Sequence, residues 1–441
     1  MTPVERFRAL LRVPTISRLD TDRVEWQHFE RFVALLPELY PALHGTLERE
    51  VVAGHSLLYR WRGTTAENPI FLLAHYDVVD ATDDRWEHPP FAAELVGDGT
   101  DAEIWARGSL DDKGALVCIL EAVDALVQRG FTPANDVYLS FGHDEEVTGT
   151  GAQAIVALLQ ERGIRPALLL DEGGAVVEGI FPGVAGQIAV VGVSEKGVTS
   201  VQLRVVQDGG HASTPPRLAA TTRLAGAIDR LARRPSRAFF SPANLEMIRT
   251  VGARARQPYR WLFTTQWLTA GLLRTLFARL SDETRAMVRT TAVVTQLSGS
   301  RADNALAETA TAIVNLRVAV GSTVAAEVAH IRSAIDDPRV EVSVVHGSEP
   351  SPVSPTAGRE WDRLRGAISA VYPDAIVTPY IQLGASDSRH FTGICDAVYR
   401  FTPFEMSAAE RGTLHAVNER IHVDTWLRGI AFYERLIEGV S

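Results

Sequence analysis

Three apolar runs in this chain each stop abruptly at acids or histidine, and this pattern constrains the fold more than any other feature. They read PIFLLAHYD (69–77), DVYLSFGHDEE (136–146) and ALLLDEGG (167–174). A continuous apolar stretch of this length suits a strand buried on both faces, as in parallel sheets. Side chains delivered at the ends of such strands are where α/β folds build their sites.

Helical spacing over 113–129 and 151–162 separates the runs, so strand and helix alternate and an α/β layer with a largely parallel sheet is expected. Helices over 2–12 and 23–38 precede it. Near Ser194 the character changes. VTSVQLRVVQ alternates like a half-exposed antiparallel strand, strands follow near 290–298 and 309–318, and VEVSVVHG closes the group, with helices near 219–233 and 323–335. After the Pro/Ser linker SEPSPVSP (348–355), α/β character returns through 358–371, AIVTPYIQ, AVYRFTP and a last helix over 424–438. A chain of 441 residues is long for one core, and domains usually hold ~100–200 residues. The expected organisation is a catalytic domain in two parts, 1–193 and 349–441, around an inserted α+β domain at 194–348. The Arg-, Phe-, Leu- and Trp-rich stretch 236–288 reads as a helical insert within that second domain and has no role on pattern alone.

The formal net charge of −10 argues against nucleic acid and anionic membranes as partners. Cys118 and Cys395, the only cysteines, lie in apolar surroundings and are expected as buried free thiols. The first residues carry Glu and Arg among their apolar positions, unlike a secretory leader, and no window reaches the length of a membrane span. A soluble cytoplasmic protein is the expectation.

The chemistry lies at the strand ends. His75 and Asp77 fall two apart, on one face of an extended segment, where a carboxylate can orient a metal-binding imidazole. Asp111, in ARGSLDDKG, stands just before a helix, either as an ordinary cap or as a bridge offering one oxygen to each of two cations. Glu145 and Glu146 follow a strand directly. Acids this close repel unless a cation or a raised pKa holds them, and they could divide metal binding from proton transfer. Asp171 and Glu172 end the third run, and His415 lies late, in LHAVNERI. Taken singly, each has a structural explanation. Together they supply nitrogen and oxygen ligands without sulfur, a set suited to zinc, cobalt or manganese.

The order of these motifs, from VPTIS (13–17) to LHAVNERI (414–421), resembles the zinc-dependent aminoacylase/carboxypeptidase family, which includes succinyl-diaminopimelate desuccinylase and carnosinase. LDEGG, SPVSPT, SDSRHF and VYRFTP bring it nearest to the carboxypeptidase S and N-acyl-amino-acid hydrolase branch. The resemblance implies an α/β/α zinc-peptidase-like catalytic domain with an inserted α+β lid that also dimerises. It implies two Zn²⁺ ions (Co²⁺ or Mn²⁺ in their place), with His75, Asp111 and Glu172 on one, and Asp111, Glu146 and His415 on the other. Asp171 is an alternative to Glu172. Asp77 would orient His75, and Glu145 would be the general base. His211, in GGHAST, would polarise the scissile carbonyl. Arg317, thirteen residues after Asn304, would bind the substrate carboxylate, with Asn304, Arg389 and His390 in the same pocket. Relatives carry Asn-x-Ile-Pro where this chain has Asn304-Ala-Leu-Ala, so the Asn304 loop is expected to be less rigid. The implied activity is hydrolysis of small peptides or N-acyl amino acids bearing a free carboxylate, or their synthesis by the same catalyst. Two other readings are weaker. A two-metal phosphoesterase would need a phosphate-clamping Arg/Lys cluster, and a non-catalytic peptide-binding relative would be expected to lose ligands that are all present here.

Overall fold

The computed structural model describes residues 1–439. Its centre is an eight-stranded sheet in the order Glu48–Val52, Ser56–Trp61, Asn135–Gly142, Thr65–His75, Leu168–Val177, Val398–Glu405, Ile188–Glu195, Ile376–Gln382. The four strands from Asn135–Gly142 to Val398–Glu405 run parallel to one another. Their apolar runs are buried on both faces, because alternate side chains enter different cores. Ile70, Leu72, Leu139 and Leu170 pack with the helices Pro3–Leu11, Trp26–Leu39, Lys113–Gln128 and Val423–Glu438. Phe71, Leu73, Tyr138 and Leu169 pack on the other side with Ile155 and Leu159 of the helix Thr150–Glu161. This is the α/β/α layering expected of the apolar runs. Lys113–Gln128 is the most enclosed helix, with thirteen of its sixteen residues buried, so truncating a side chain such as Leu116 to Ala costs ~2–5 kcal/mol.

A second sheet, antiparallel throughout, has the order Thr291–Ser298, Thr309–Val318, Gly197–Val206, Glu341–Gly347. Thr309–Val318 alternates strictly between half-buried and buried positions. Ala310, Ala312, Val314 and Leu316 pack beneath the helices Ala220–Arg233 and Val324–Ile335. Period-two geometry therefore turns Asn315 and Arg317 to the opposite face. The chain passes between the two sheets at Glu195–Gly197 and again at Gly347–Ser351. The two crossings are tied by Ser351 N to Glu195 O (3.1 Å) and Ser348 N to Val198 O (2.9 Å).

The segment 236–288 is helical, as its composition suggested, but it does not pack into the core of the second sheet. Met247, Ile248 and Val251 of the helix Pro242–Gly252, with Phe263, Leu273 and Phe277, join the core of the large sheet. The reason is local: Ile376–Gln382 is an edge strand with an apolar face to cover, and Pro242–Gly252 lies against it. Lys196, at the crossing, donates to the carbonyls of Ala286 (3.0 Å) and Arg289 (2.8 Å), which fixes the end of the insert to the hinge. Cys118 and Cys395 are free and buried, as expected.

Candidate metal centre

His75 is the last residue of its strand and is buried. Its Nδ1 lies 3.0 Å from the Asp77 carbonyl oxygen and 3.2 Å from Asp77 Oδ1, while Nε2 lies 3.1 Å from Asp111 Oδ1 and 3.7 Å from Glu172 Oε1. On the other side, His415 Nε2 is 2.9 Å from Asp111 Oδ2 and 3.1 Å from Glu146 Oε2. Asp111 thus gives one carboxylate oxygen to each histidine. Two sets of donor atoms result, His75/Asp111/Glu172 and Asp111/Glu146/His415, each with its atoms within 4.8 Å of one another.

Buried hydrogen bonds hold these side chains in place. Asp77 accepts the backbone amides of Glu145 (3.1 Å) and Glu146 (3.2 Å), so one carboxylate orients His75 and also seats the loop carrying the paired glutamates. Glu419 is completely buried and accepts the amides of Gly108 (3.1 Å), Leu110 (2.8 Å) and Asp111 (3.2 Å), along with Arg107 Nη1 at 2.7 Å. The residue at the helix N-cap is Asp112, which makes no side-chain cap bond, and its Oδ2 instead accepts the His75 amide at 3.3 Å. The capping explanation for Asp111 therefore fails. Asp171 Oδ2 accepts the Ser388 amide at 2.8 Å, which leaves Glu172 as the acid that faces His75. Glu419 was visible in LHAVNERI only as one letter of a motif. Its signal was an acid expected to be exposed that three backbone amides and an arginine make buriable.

The electrostatics of this cluster call for positive charge. Burial, then the charge of Asp111, pushes Glu172 up to about 8. Burial and the nearby Glu172 hold Glu145 well above the usual carboxylate range. Burial also raises Glu146, against the pull of His415. Asp111 is the exception, because hydrogen bonds from His415 and His75 outweigh its burial and keep it well below its ordinary value. His415, held by Asp111 and Glu146, is raised to about 10. Burial opposes protonation of His75, but Asp111, Asp77 and Glu172 outweigh it. Each imidazolium proton therefore sits where a cation would relieve the same repulsion. Glu146 Oε1 is buried with no hydrogen-bond partner among the described residues. An all-N,O donor set, crowded carboxylates and an orphaned buried oxygen fit two divalent ions. A third group, Glu103, Glu410 and His422, has similar spacing but is already satisfied: Glu103 accepts Trp105 Nε1 (3.0 Å) and Arg420 Nε (3.3 Å), and Glu410 accepts the Ser407 amide at 2.7 Å.

Two other clusters flank the centre. Arg317 is half-buried, and burial together with the charge of Arg389 lowers its pKa, with Glu195 acting in the opposite sense. Neither arginine forms an ion pair among the described residues; Arg389 Nε instead donates to His390 Nε2 at 3.2 Å. Glu195, the nearby acid, is committed to buried Arg400 at 2.8 Å and to the Ser386 amide at 3.2 Å. His211 and Asn304 lie farther out, on two exposed loops that pair through Ala212 N to Asn304 O (3.0 Å) and Leu306 N to Gly210 O (2.8 Å). The structure brings the five ligand candidates, Asp77 and Glu145 into one cluster and sets Arg389 and His390 against Gly149 of the loop that follows Glu146, with Arg317 within electrostatic reach of Arg389. Neither His211 nor Asn304 hydrogen-bonds to the cluster.

A sheet whose strand ends converge on two shared donor sets, with a second domain bearing an unpaired arginine, defines a metallohydrolase of the two-domain type. The chain belongs to the peptidase family M20/M25/M40, whose family model matches residues 71–439. It is 33% identical over 445 residues to a probable carboxypeptidase S-like protein of Dictyostelium discoideum, covering 99% of this chain and 85% of that one. It is likewise 33% identical over 442 residues to an N-fatty-acyl-amino acid synthase/hydrolase of Xenopus tropicalis, with the same coverage of 99% and 85%. Among solved structures, an M20 family metallo-carboxypeptidase from Sulfolobus solfataricus shares the fold with a TM-score of 0.70 over 99% of both chains, at 16% identity. The expected family and its α/β architecture are both found.

Proposed function

We propose that this enzyme hydrolyses the amide bond next to a free carboxylate in small peptides or N-acyl amino acids, using two divalent ions that are zinc in the cell. The observation that carries this reading is Asp111, shared between two donor sets; Arg317 and Arg389, which form no ion pair among the described residues, support it. Substrates named for the relatives, N-fatty-acyl amino acids and carboxypeptidase substrates, bear the group such a pair would bind.

His75, Asp111 and Glu172 would hold one ion, and Asp111, Glu146 and His415 the other. Bound there, the ions would polarise the scissile carbonyl and lower the pKa of a water from ~15.7 toward ~7. Glu145 accepts the proton of the attacking water and returns it to the leaving amine. Asp77 holds His75 and the Glu145 amide in register. Arg317 binds the substrate carboxylate through a two-pronged pair, with Arg389 and His390 along the same wall. His211 and Asn304 reach the carbonyl when the second domain closes as a lid, or from the lid of a second copy. Exposed Val293 and Leu297 on one edge strand, and Val344 and Val345 on the other, support a homodimer through that sheet. The free thiols support a cytoplasmic location.

Release of free amino acid from dipeptides and N-acyl amino acids by the zinc-loaded enzyme tests this reading. Turnover is expected to disappear in Glu145→Gln and with C-terminally amidated substrates. Undiminished turnover of amidated substrates would remove the carboxylate from the proposal.

A further inference from the structure

The helix Gln266–Leu280 buries Thr269, Leu273 and Phe277 on the large core. A neighbouring strip at four-residue spacing, Leu268, Leu272, Leu276 and Leu280, is 42–64% exposed, and Trp267 beside it is 86% exposed. On a helix packed against a globular core, that strip should be polar. The same helix forms one wall of a recess of about 460 Å³ lined by Arg237, Arg274, Arg279 and Arg289. None of these four arginines has an ion-pair partner among the described residues, and Arg289 Nε is buried without a hydrogen-bond acceptor. The acids nearest in sequence are already engaged, Asp282 with Arg285 at 2.7 Å and Glu283 with Arg411 at 3.5 Å. From 250 to 281 there are five arginines and no Asp, Glu or Lys, in a chain whose formal charge is −10. Positive charge, with Arg274 and Arg279 on the helix itself and Arg237 and Arg289 across the recess, is gathered beside the exposed leucine strip.

We propose that the face formed by Gln266–Leu280 and the arginine recess docks on an anionic phospholipid membrane surface. Leucines and Trp267 would enter the headgroup–acyl boundary, while the arginines bind phosphate groups at its edge. Free phosphate would account for the recess but leave the leucine strip without a partner. A second copy meeting this face about a two-fold axis would set the arginines against themselves. Only a surface both anionic and apolar matches both observations. The net negative charge of the chain, which argued against such a partner, is an average over a segregated distribution. This inference stands on surface chemistry alone and is independent of the catalytic proposal.

Flotation of the full chain with vesicles of phosphatidylcholine, with and without phosphatidylglycerol, tests it. Binding is expected only with phosphatidylglycerol, and to weaken with salt. The pair Arg274→Ala/Arg279→Ala is expected to bind roughly tenfold or more weakly, and Leu268→Ser/Leu272→Ser is expected to lose binding as well. All four side chains are exposed, so folding is not at stake. Three outcomes would overturn the proposal: no binding to either vesicle, binding unaffected by the leucine changes and displaced by inorganic phosphate, or a dimer that the leucine changes dissociate without any vesicle binding.

Discussion

Glu419 accepts the backbone amide of Asp111 at 3.2 Å, so the loop that presents His415 also fixes the peptide carrying the shared carboxylate. One donor of the second set and the bridge between both sets therefore depend on a single buried acid. Glu419 also neutralises Arg107, itself buried. Removing it leaves that guanidinium uncompensated, which typically costs ~3–5 kcal/mol for a buried pair. Glu419→Ala is expected to unfold at markedly lower temperature and, where still folded, to bind zinc ~10–100-fold more weakly. Glu419→Gln keeps the shape and is expected to fold better while still binding metal less well. Titration of both variants with zinc, alongside thermal melts, decides the matter. Wild-type zinc affinity in the glutamine variant would show that Glu419 serves folding alone.

Asp77 and Glu145 should separate metal binding from chemistry. Asp77 touches His75 and the amides of both glutamates, so Asp77→Ala is expected to lose ~10–100-fold in metal affinity and activity with it. Glu145 belongs to neither donor set. Glu145→Gln is expected to bind two ions normally while kcat falls ~10²–10⁴-fold. Metal content by elemental analysis, measured next to kcat, gives the split. Loss of metal from Glu145→Gln would make Glu145 a ligand rather than a proton carrier.

Most of this centre could be read along the chain because each contribution is local. His75 ends its strand and Glu145 and Glu146 follow theirs, while Glu172 follows the apolar run Leu168–Leu170 but lies inside a strand that continues to Val177; adjacent parallel strands bring these positions together. What could not be read needed contacts between distant segments. Nothing near Glu419 shows that it will meet Gly108 and Leu110, more than three hundred residues earlier. The same holds for 236–288, whose helices are plain from composition. Their packing on Ile376–Gln382 rather than on the second sheet depends on an edge exposed only once the large sheet has formed. The choice between Asp171 and Glu172 also waited on the structure, because adjacent residues on a strand face opposite ways and Ser388 claims one of them.

Arg317 lies within electrostatic reach of Arg389, and Glu195, the acid that acts on both, is already paired with buried Arg400, so the cationic pair has room for an anion. Arg317→Ala is expected to raise KM for substrates with a free carboxylate by ~10-fold or more, as a charge-assisted pair of ~1.5–3 kcal/mol is lost. The weak reaction of amidated analogues should be nearly unchanged, because the lost interaction was never available to them. Steady-state kinetics on matched acid and amide substrates makes the comparison. Equal losses on both would place Arg317 in the architecture of the lid.

His390 gives the cleft a pH dependence that can be isolated. Burial, reinforced by the charge of Arg389 and opposed by Asp144, lowers its pKa from 6.5 to about 4. Between these values the unfolded chain holds a proton on this ring that the folded chain does not. Stability tied to His390 is therefore complete above about pH 6.5 and is lost progressively as pH falls toward 4. Other groups titrate over the same range, so the informative quantity is the difference between wild type and His390→Gln. Urea denaturation from about pH 7 down to about pH 5 should show wild type losing stability faster than the variant. Parallel loss in both would mean that the ring is already protonated in the folded protein. Arg389 would then face an imidazolium, and its Nε could not donate to His390 Nε2.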